Sequence, residues 1–134
     1  MSEENVEIVR RGWEAWSRGD VDALAALWDP EIVWKTEHFH NWPESGYRGT
    51  EGIRQFLDEW LAVWGDYEIS VHEVVAAPDG RVVSFFRHTG KGQQSGVPME
   101  LEMAQIATLR DGKMIELDNY DHPAEAREAA GLSE

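Results

Sequence analysis

The hydrophobic residues of the N-terminal half recur every three or four positions, which is the spacing of helices with one buried face. The sequence predicts three such helices, whose inward positions are, in chain order, Val6, Val9, Trp13 and Trp16, then Val21, Leu24, Leu27 and Trp28, then Ile53, Phe56, Leu57, Trp60, Leu61 and Trp64. Gly19-Asp20 separates the first two helices as a stop followed by a new N-cap. Asp29-Pro30 ends the second helix, and Gly49-Thr50 begins the third.

Residues that alternate between apolar and polar predict five strands. The first, at residues 31–36, lies between the second and third helices. Four longer strands follow the third helix, at residues 67–77, 81–89, 99–110 and 113–120. Pro78-Asp79-Gly80 and Asp111-Gly112 predict hairpin turns, whereas residues 90–98 (GKGQQSGVP) predict a wide polar connection.

A short alanine-rich helix follows His122-Pro123 and ends at Gly131. Most helices therefore precede a block of four consecutive antiparallel strands. This segregated order is typical of the α+β class, with helices packed on one face of a curved antiparallel sheet. A chain of 134 residues can bury a core of its own. We therefore predict a single domain that spans residues 1–134.

Charge and composition narrow the classes of partner. The formal charge of -14 repels phosphate backbones and anionic membranes, so we expect no nucleic acid and no membrane as partner. No apolar run approaches the roughly 20 residues of a membrane helix, and the acidic N-terminus lacks a signal-peptide pattern. We therefore predict a cytoplasmic protein. The absence of cysteine excludes disulfides and thiolate metal sites, while seven tryptophans favour an aromatic interior or cleft.

Several segments resemble the SnoaL-like branch of the nuclear transport factor 2 superfamily, and the resemblance covers essentially the whole chain. The segments are LWDPEIVW at 27–34, YRGTEGIRQFLDEW at 47–60, SGVPMELEMAQIATLRDGK at 95–113 and EAREAAGL at 125–132. The resemblance implies a cone-shaped curved antiparallel sheet wrapped around three N-terminal helices, with a short C-terminal helix. It also implies a deep pocket between sheet and helices, a homodimer formed through the outer sheet face, and no metal or other cofactor.

The family includes polyketide cyclases, ketosteroid isomerases, dehydratases, epoxide hydrolases and binding proteins without catalysis, so the fold leaves the function open. The resemblance places the two acids of the steroid isomerases near Thr36 and Gln105, and the aspartate of the cyclases at Asn119. None of these residues is an acid. Asp121 shares a strand face with Asn119 and is the candidate to take over acid–base work. Its alternative role is to cap the helix that follows.

The histidines supply the remaining titratable candidates. His88 and Arg87 are neighbours on one predicted strand, so only one of them points toward the helices, and the sequence leaves open which. His38 and His40 alternate on a loop and could ligate a metal, with Glu37 as the candidate third ligand, but the loop lacks an E-x-x-H or H-E-x-x-H pattern, so we predict no metal site. The loop instead suggests the mouth of a pocket, with Glu37, His40, Trp42 and Tyr47 in contact with a ligand.

Two main hypotheses follow. In the first, a cofactor-free acid–base enzyme cyclises, isomerises, dehydrates or hydrolyses an apolar or polycyclic molecule, with His40, His88 and Asp121 as the catalytic residues. The substrate-binding residues would be Trp34, Thr36, Glu37, Tyr47, Trp60, Met103, Gln105 and Asn119. The second hypothesis is a non-catalytic ligand-binding or dimeric interaction module, which the missing acids favour. A solidly packed core with no usable cavity is a third possibility.

Overall fold

The structure is a computed structural model and describes residues 2–40 and 46–132, so Trp42 lies outside the described residues. The described elements are, in chain order, α1 (Ser2–Ser17), α2 (Val21–Ala25), β1 (Trp28–His38), β2 (Gly46–Arg48), α3 (Gly49–Ala62), β3 (Trp64–Ala76), β4 (Val82–Gly92), β5 (Pro98–Arg110), β6 (Lys113–Tyr120) and α4 (Pro123–Ala129). The predicted α+β class is confirmed. Within these residues no helix is both long and apolar enough to cross a membrane.

Helix boundaries follow the local chemistry of their ends. Gly19 adopts a φ of 74°, which few other residues tolerate, and Asp20 caps α2 by accepting a 3.0 Å hydrogen bond from the backbone N–H of Ala23. The predicted stop and cap between the first two helices are therefore confirmed. Pro123 occupies the start of α4, where its missing N–H costs nothing.

Two tryptophans predicted on helices lie instead at the beginning of strands. Trp28 opens β1, where it is paired with Met114, and Trp64 opens β3, where it is paired with Gly92. Both side chains are buried. Each tryptophan lies at the spacing that continues the apolar face of the preceding helix, which is why the sequence pattern assigned it to that helix. The spacing continues because the side chain enters the same core from the first residue of a strand.

The sheet has the order β2-β1-β6-β5-β4-β3. Strands β3 to β6 form consecutive antiparallel pairs as predicted, whereas β1 pairs in parallel with β6. The polar connection is shorter than predicted, because β4 and β5 remain paired out to Lys91 and Pro98. Strand β2, which was not predicted, pairs with Val33 to Lys35 over three residues. Register shifts in β3 mark bulges, which bend a strand.

The two faces of the sheet bury different cores. On the inner face, which packs against α1 and α3, large side chains predominate, including Trp16, Phe56 and Trp60. On the outer face, α4 contributes Ala126 and Ala130 to a smaller cluster. The remaining buried members of that outer cluster are Ala77, Val83, Phe85, Ala104, Ile106 and Tyr120.

Candidate functional site

A cavity of about 60 Å³ lies on the inner face, between the sheet and the N-terminal helices. A single buried water needs roughly 10–15 Å³, so the space exceeds a packing defect. Its walls are mostly apolar or aromatic. The lining residues are Val9, Gly12, Trp13, Trp16, Leu24, Trp28, Trp34, Phe39, Phe56, Leu57, Trp60, Phe86, His88, Met103, Gln105, Met114, Leu117 and Asn119.

Strand alternation supplies the polar part of the wall. His88 on β4, Gln105 on β5 and Asn119 on β6 all border the cavity and are buried. The neighbour of His88, Arg87, faces the other way and donates a hydrogen bond to Glu102 on β5. The open choice between Arg87 and His88 is therefore decided in favour of His88.

His88 is held in a chain of buried hydrogen bonds. Its Nδ1 lies 2.7 Å from the hydroxyl oxygen of Tyr67 on β3. The indole N–H of Trp16 donates to the same oxygen at 3.0 Å. Because that oxygen already accepts from an indole, we assign its own hydrogen as the donor to Nδ1 of His88. The imidazole proton then lies on Nε2, the nitrogen on the far side of the ring from Tyr67.

Burial sets the charge of this pair. It lowers the pKa of His88 to about 3 and raises the pKa of Tyr67 to about 12. Both groups are consequently neutral near pH 7. A neutral imidazole with Nε2 protonated is a hydrogen-bond donor, and with so low a pKa it is a weak base.

The two amides on the wall are joined to each other. Nε2 of Gln105 donates to Oδ1 of Asn119 at 2.9 Å. The amide nitrogen of Asn119 in turn donates to the backbone oxygens of Lys35 at 3.0 Å and Leu117 at 3.3 Å. Asn119 therefore ties β6 to β1 across their parallel pairing.

Two of the tryptophans that line the cavity have indole N–H groups without a hydrogen-bond partner in the described part of the chain. They belong to Trp28 and Trp34, and both nitrogens are buried. The other described buried atoms in this condition, Nε1 of Trp64 and Oδ1 of Asp118, belong to residues outside the cavity wall. Leaving a buried donor unpaired costs about 1–3 kcal/mol, so these two indoles are a local loss of stability.

Three residues predicted to bind substrate lie away from the wall. Thr36 is buried in β1 but does not border the cavity. Glu37 lies at the end of β1 rather than in a loop and forms an exposed ion pair with Lys35 at 3.4 Å. The hydroxyl of Tyr47 on β2 donates to Glu59 at 3.1 Å. The other predicted binding residues, Trp34, Trp60, Met103, Gln105 and Asn119, all border the cavity.

His40 and Asp121, the other two predicted catalytic residues, contact each other rather than the cavity. Nδ1 of His40 lies 2.7 Å from Oδ1 of Asp121, whose second oxygen accepts from the backbone N–H of His40 at 2.9 Å. This hydrogen bond and the carboxylate charge raise the pKa of His40. The alternative role of Asp121 as a helix cap is wrong, because His122 is the N-cap residue of α4 and its side chain makes no capping bond.

Three polar residues that position the wall were not among the predicted site residues. Tyr67 and Trp16 fix His88, and Ser84 accepts a 2.8 Å hydrogen bond from the indole N–H of Trp13. Ser84 shares a strand face with His88, so alternation alone could have found it. Tyr67 could not be found in this way, because its place depends on the register between β3 and β4.

Comparisons with known proteins agree with this fold. The family model described as a SnoaL-like domain matches residues 9–117. An uncharacterized protein of Mycobacterium tuberculosis is 22% identical over 117 residues, which are 87% of each chain. Among solved structures, TerC co-crystallized with polyporic acid superposes with a TM-score of 0.75 at 20% identity, covering 96% of this chain and 98% of TerC. A protein of Burkholderia xenovorans described as NTF2-like superposes with a TM-score of 0.72 at 27% identity and 90% coverage of both chains.

Proposed function

The chain belongs to the SnoaL-like domain family, and from that premise we propose that its cavity binds a compact, mainly apolar small molecule that carries carbonyl or other acceptor oxygens. The observation that carries the proposal is a mostly apolar wall in which two of the lining tryptophans, Trp28 and Trp34, have indole N–H groups without partners. An apolar pocket with a few placed polar groups is the usual form of a small-molecule site.

The hydrogen-bonding groups of the wall determine which polar atoms a ligand can carry into the cavity. The groups there that are able to donate are the two indoles, Nε2 of His88 and the second N–H of Gln105, which are all neutral. Among the described residues on the wall, His88 is the sole titratable side chain. A carboxylate ligand would therefore meet no cation, whereas a ketone or quinone oxygen would meet neutral donors without the cost of burying a charge.

The size of the cavity limits the ligand. An engineered cavity of about 150 Å³ admits benzene, and the cavity here measures about 60 Å³. A ring system therefore fits only if side chains on the wall move aside. TerC, with the same fold, was crystallized with polyporic acid. That pairing supports small-molecule binding as a use of this fold and makes polyporic acid a reasonable first probe for this protein.

The residues of the cavity wall favour ligand binding without catalysis. Thr36, Gln105 and Asn119 stand where relatives are expected to carry acids, and the part of the lining that the structure describes holds no carboxylate. General acid–base catalysis needs a group whose pKa lies near the working pH. His88, with its pKa lowered to about 3, does not meet that requirement.

The test compares 1-indanone with indane, which share a skeleton but differ by one carbonyl oxygen. We expect the ketone to bind more tightly by roughly threefold to tenfold, as for a single neutral hydrogen bond, as measured by tryptophan fluorescence and by the shift in melting temperature. Trp28→Phe and Trp34→Phe should reduce that preference. Trp64→Phe is the matched control, because Trp64 also has an unpartnered N–H but does not border the cavity.

Equal affinities for indanone and indane would contradict the assignment of the indoles as ligand donors. If neither compound nor polyporic acid changed the melting temperature, the cavity would be a feature of packing and the proposal would fail.

The second candidate function is acid–base catalysis on the same ligand, and the hydrogen bond of 2.7 Å between Tyr67 and His88 is the observation that favours it. The neutral imidazole would donate from Nε2 to the ketone oxygen as negative charge develops on it, while a water molecule takes the α-proton and returns one to the same carbon. This function predicts slow exchange of the α-hydrogens of an enolisable ketone with D₂O, followed by NMR. Exchange that is unaffected by His88→Gln would exclude it.

The homodimer, the cytoplasmic location and the single domain over residues 1–134 remain predictions of this proposal. The dimer would form through the outer face of the sheet, as the family resemblance implies. Light scattering coupled to size-exclusion chromatography would report a mass of about twice 15.3 kDa if the dimer forms.

A further inference from the structure

We propose that His40, Asp121 and His122 form a binding site for a divalent transition-metal ion, separate from the cavity. One ligand atom from each side chain lies within 4.8 Å of the other two. Oδ1 of Asp121 is the common centre, at 2.7 Å from Nδ1 of His40 and 3.8 Å from Nε2 of His122. The two imidazole rings lie 5.2 Å apart.

The parallel pairing of β1 and β6 assembles this cluster. Their carboxyl ends meet at one edge of the sheet, where His38 pairs with Tyr120. The next residues along each strand are then brought together, and the backbone N–H of Asp121 donates to the oxygen of His38 at 3.2 Å. His40 and Asp121 are 81 residues apart in the chain, so no motif of closely spaced residues indicates the site in the sequence.

His38, the histidine that pairs with His40 in the sequence, does not belong to the cluster. Its ring stacks on Tyr120 with centroids 4.5 Å apart. The alternation of His38 and His40 is therefore not what points to a metal. The third ligand comes from His122, which follows β6.

The cluster combines a fixed carboxylate with two adjustable imidazoles. The Asp121 side chain is only 4% exposed, and its second oxygen is held by the backbone N–H of His40. Such a bond to a ligating carboxylate is the support that metal sites commonly use. The side chains of His40 and His122 are 50% and 62% exposed, so both can turn. Tetrahedral zinc would bring the ligand atoms to roughly 3.3 Å from one another, which requires only small rotations.

The donor set identifies the class of ion. Two imidazole nitrogens and one carboxylate oxygen suit zinc and neighbouring divalent transition metals, and they leave further positions open for water. Magnesium and calcium prefer sites composed of oxygen, so they should bind here much more weakly. The net charge of -14 attracts any cation, so the test must separate this site from diffuse attraction.

The test uses tag-free full-length protein and zinc alone as the probe. Titration against a chromophoric chelator should reveal one zinc ion per chain, and zinc should raise the melting temperature. His40→Gln and His122→Gln should each weaken binding by roughly tenfold or more. His72→Gln is the matched control, because His72 also lies beside a carboxylate, Glu102, at 3.3 Å, but the described residues place no second imidazole in that pair.

A measurement on the unsubstituted protein removes any dependence on how the variants fold. In long-range ¹H–¹⁵N spectra, one equivalent of zinc should shift the ring nitrogens of His40 and His122 and leave those of His72 and His88 in place. The proposal is overturned if zinc shifts His72 as strongly, if magnesium at the same concentration gives the same response, or if no zinc binds.

Discussion

Phe85 and Phe86 are adjacent on β4 and both are buried, but they serve opposite faces of the sheet. Phe86 borders the cavity on the inner face and lies 4.6 Å from the ring of Trp13. Phe85 packs on the outer face with Ile106 and Ala126, and the guanidinium of Arg127 lies 4.3 Å above its ring. One strand therefore contributes side chains to two cores that differ in residue composition.

The inner core is rich in tryptophan, encloses a cavity and leaves indole N–H groups of its wall without partners. The outer core is made largely of alanine and branched aliphatic residues under a short helix. Cavities and unpaired donors both lower stability. Their concentration on one face indicates that the inner core is shaped by something other than stability, whereas the outer core is suited to holding α4 in place.

The largest expected effect comes from truncating either phenylalanine. Phe85→Ala and Phe86→Ala should each lower the free energy of unfolding by about 3–5 kcal/mol, because both remove a buried ring. Urea denaturation measures this loss. Only Phe86→Ala enlarges the cavity, so it alone should raise the affinity for 1-tetralone relative to the smaller 1-indanone. A similar gain in the Phe85→Ala variant would show that the faces are not independent.

The free energy of unfolding should depend on pH in part because His88 is buried in its neutral form. Its pKa is about 3 when folded, compared with about 6.5 for an ordinary histidine, so between these pH values the unfolded chain binds a proton that the folded chain does not. The contribution of neutral His88 to the free energy of unfolding is fully present above about pH 6.5. It is lost as the pH falls toward 3, at about 1.4 kcal/mol per pH unit. Denaturation at pH 6, 5 and 4 should show a slope that is steeper by about this amount in the wild type than in His88→Asn, because the other titrating groups contribute to both proteins. Identical slopes in the two proteins would mean that His88 is not buried as described.

Ser84→Ala should reveal what one unpaired indole costs on the inner face. The substitution leaves the indole N–H of Trp13 without its 2.8 Å partner, so we expect a loss of about 1–3 kcal/mol in the free energy of unfolding. Ser70→Ala on β3, an exposed position, provides the control and should change stability by less than about 0.5 kcal/mol. If the two variants are equally stable, the unpaired indoles of Trp28 and Trp34 also cost little.

The smallest expected effect concerns the outer face. Arg127→Ala removes the cation above Phe85 and a 3.1 Å ion pair with Glu73 at a partly exposed site. We expect a loss of about 0.5–1 kcal/mol, which is typical of an exposed cation–π contact. Thermal denaturation at low and at high salt separates the two contributions, because salt screens the ion pair more than the ring contact. Ligand binding should not change.

The prediction of elements succeeded where local chemistry decides the outcome. Asp20 caps α2 and Pro123 begins α4, both as their residue types predict. Prediction failed where an element depends on a distant partner. Strand β2 exists only because Gly46 to Arg48 pair with β1, and Trp28 is a strand residue only because it pairs with Met114.

For the candidate site, too, the features that depend on local pattern were predicted and those that depend on distant contacts were not. Strand alternation placed Gln105 on the same face as Met103, and both border the cavity. It placed His88 opposite Arg87 without deciding which of the two faces inward. The grouping of His40 with Asp121, away from the cavity, could not be predicted, because a parallel contact between strands more than 80 residues apart leaves no local pattern.

The sequence by itself determined the class of fold, the cap of α2 and the identity of the side chains that share each strand face, since these follow from the geometry of neighbouring residues. Only the tertiary structure decided the rest: which face is buried beneath α1 and α3, how Tyr67 reaches His88, and that Asp121 meets His40. These outcomes depend on register and on strand order. Both are determined by the packing of the whole core rather than by any short segment.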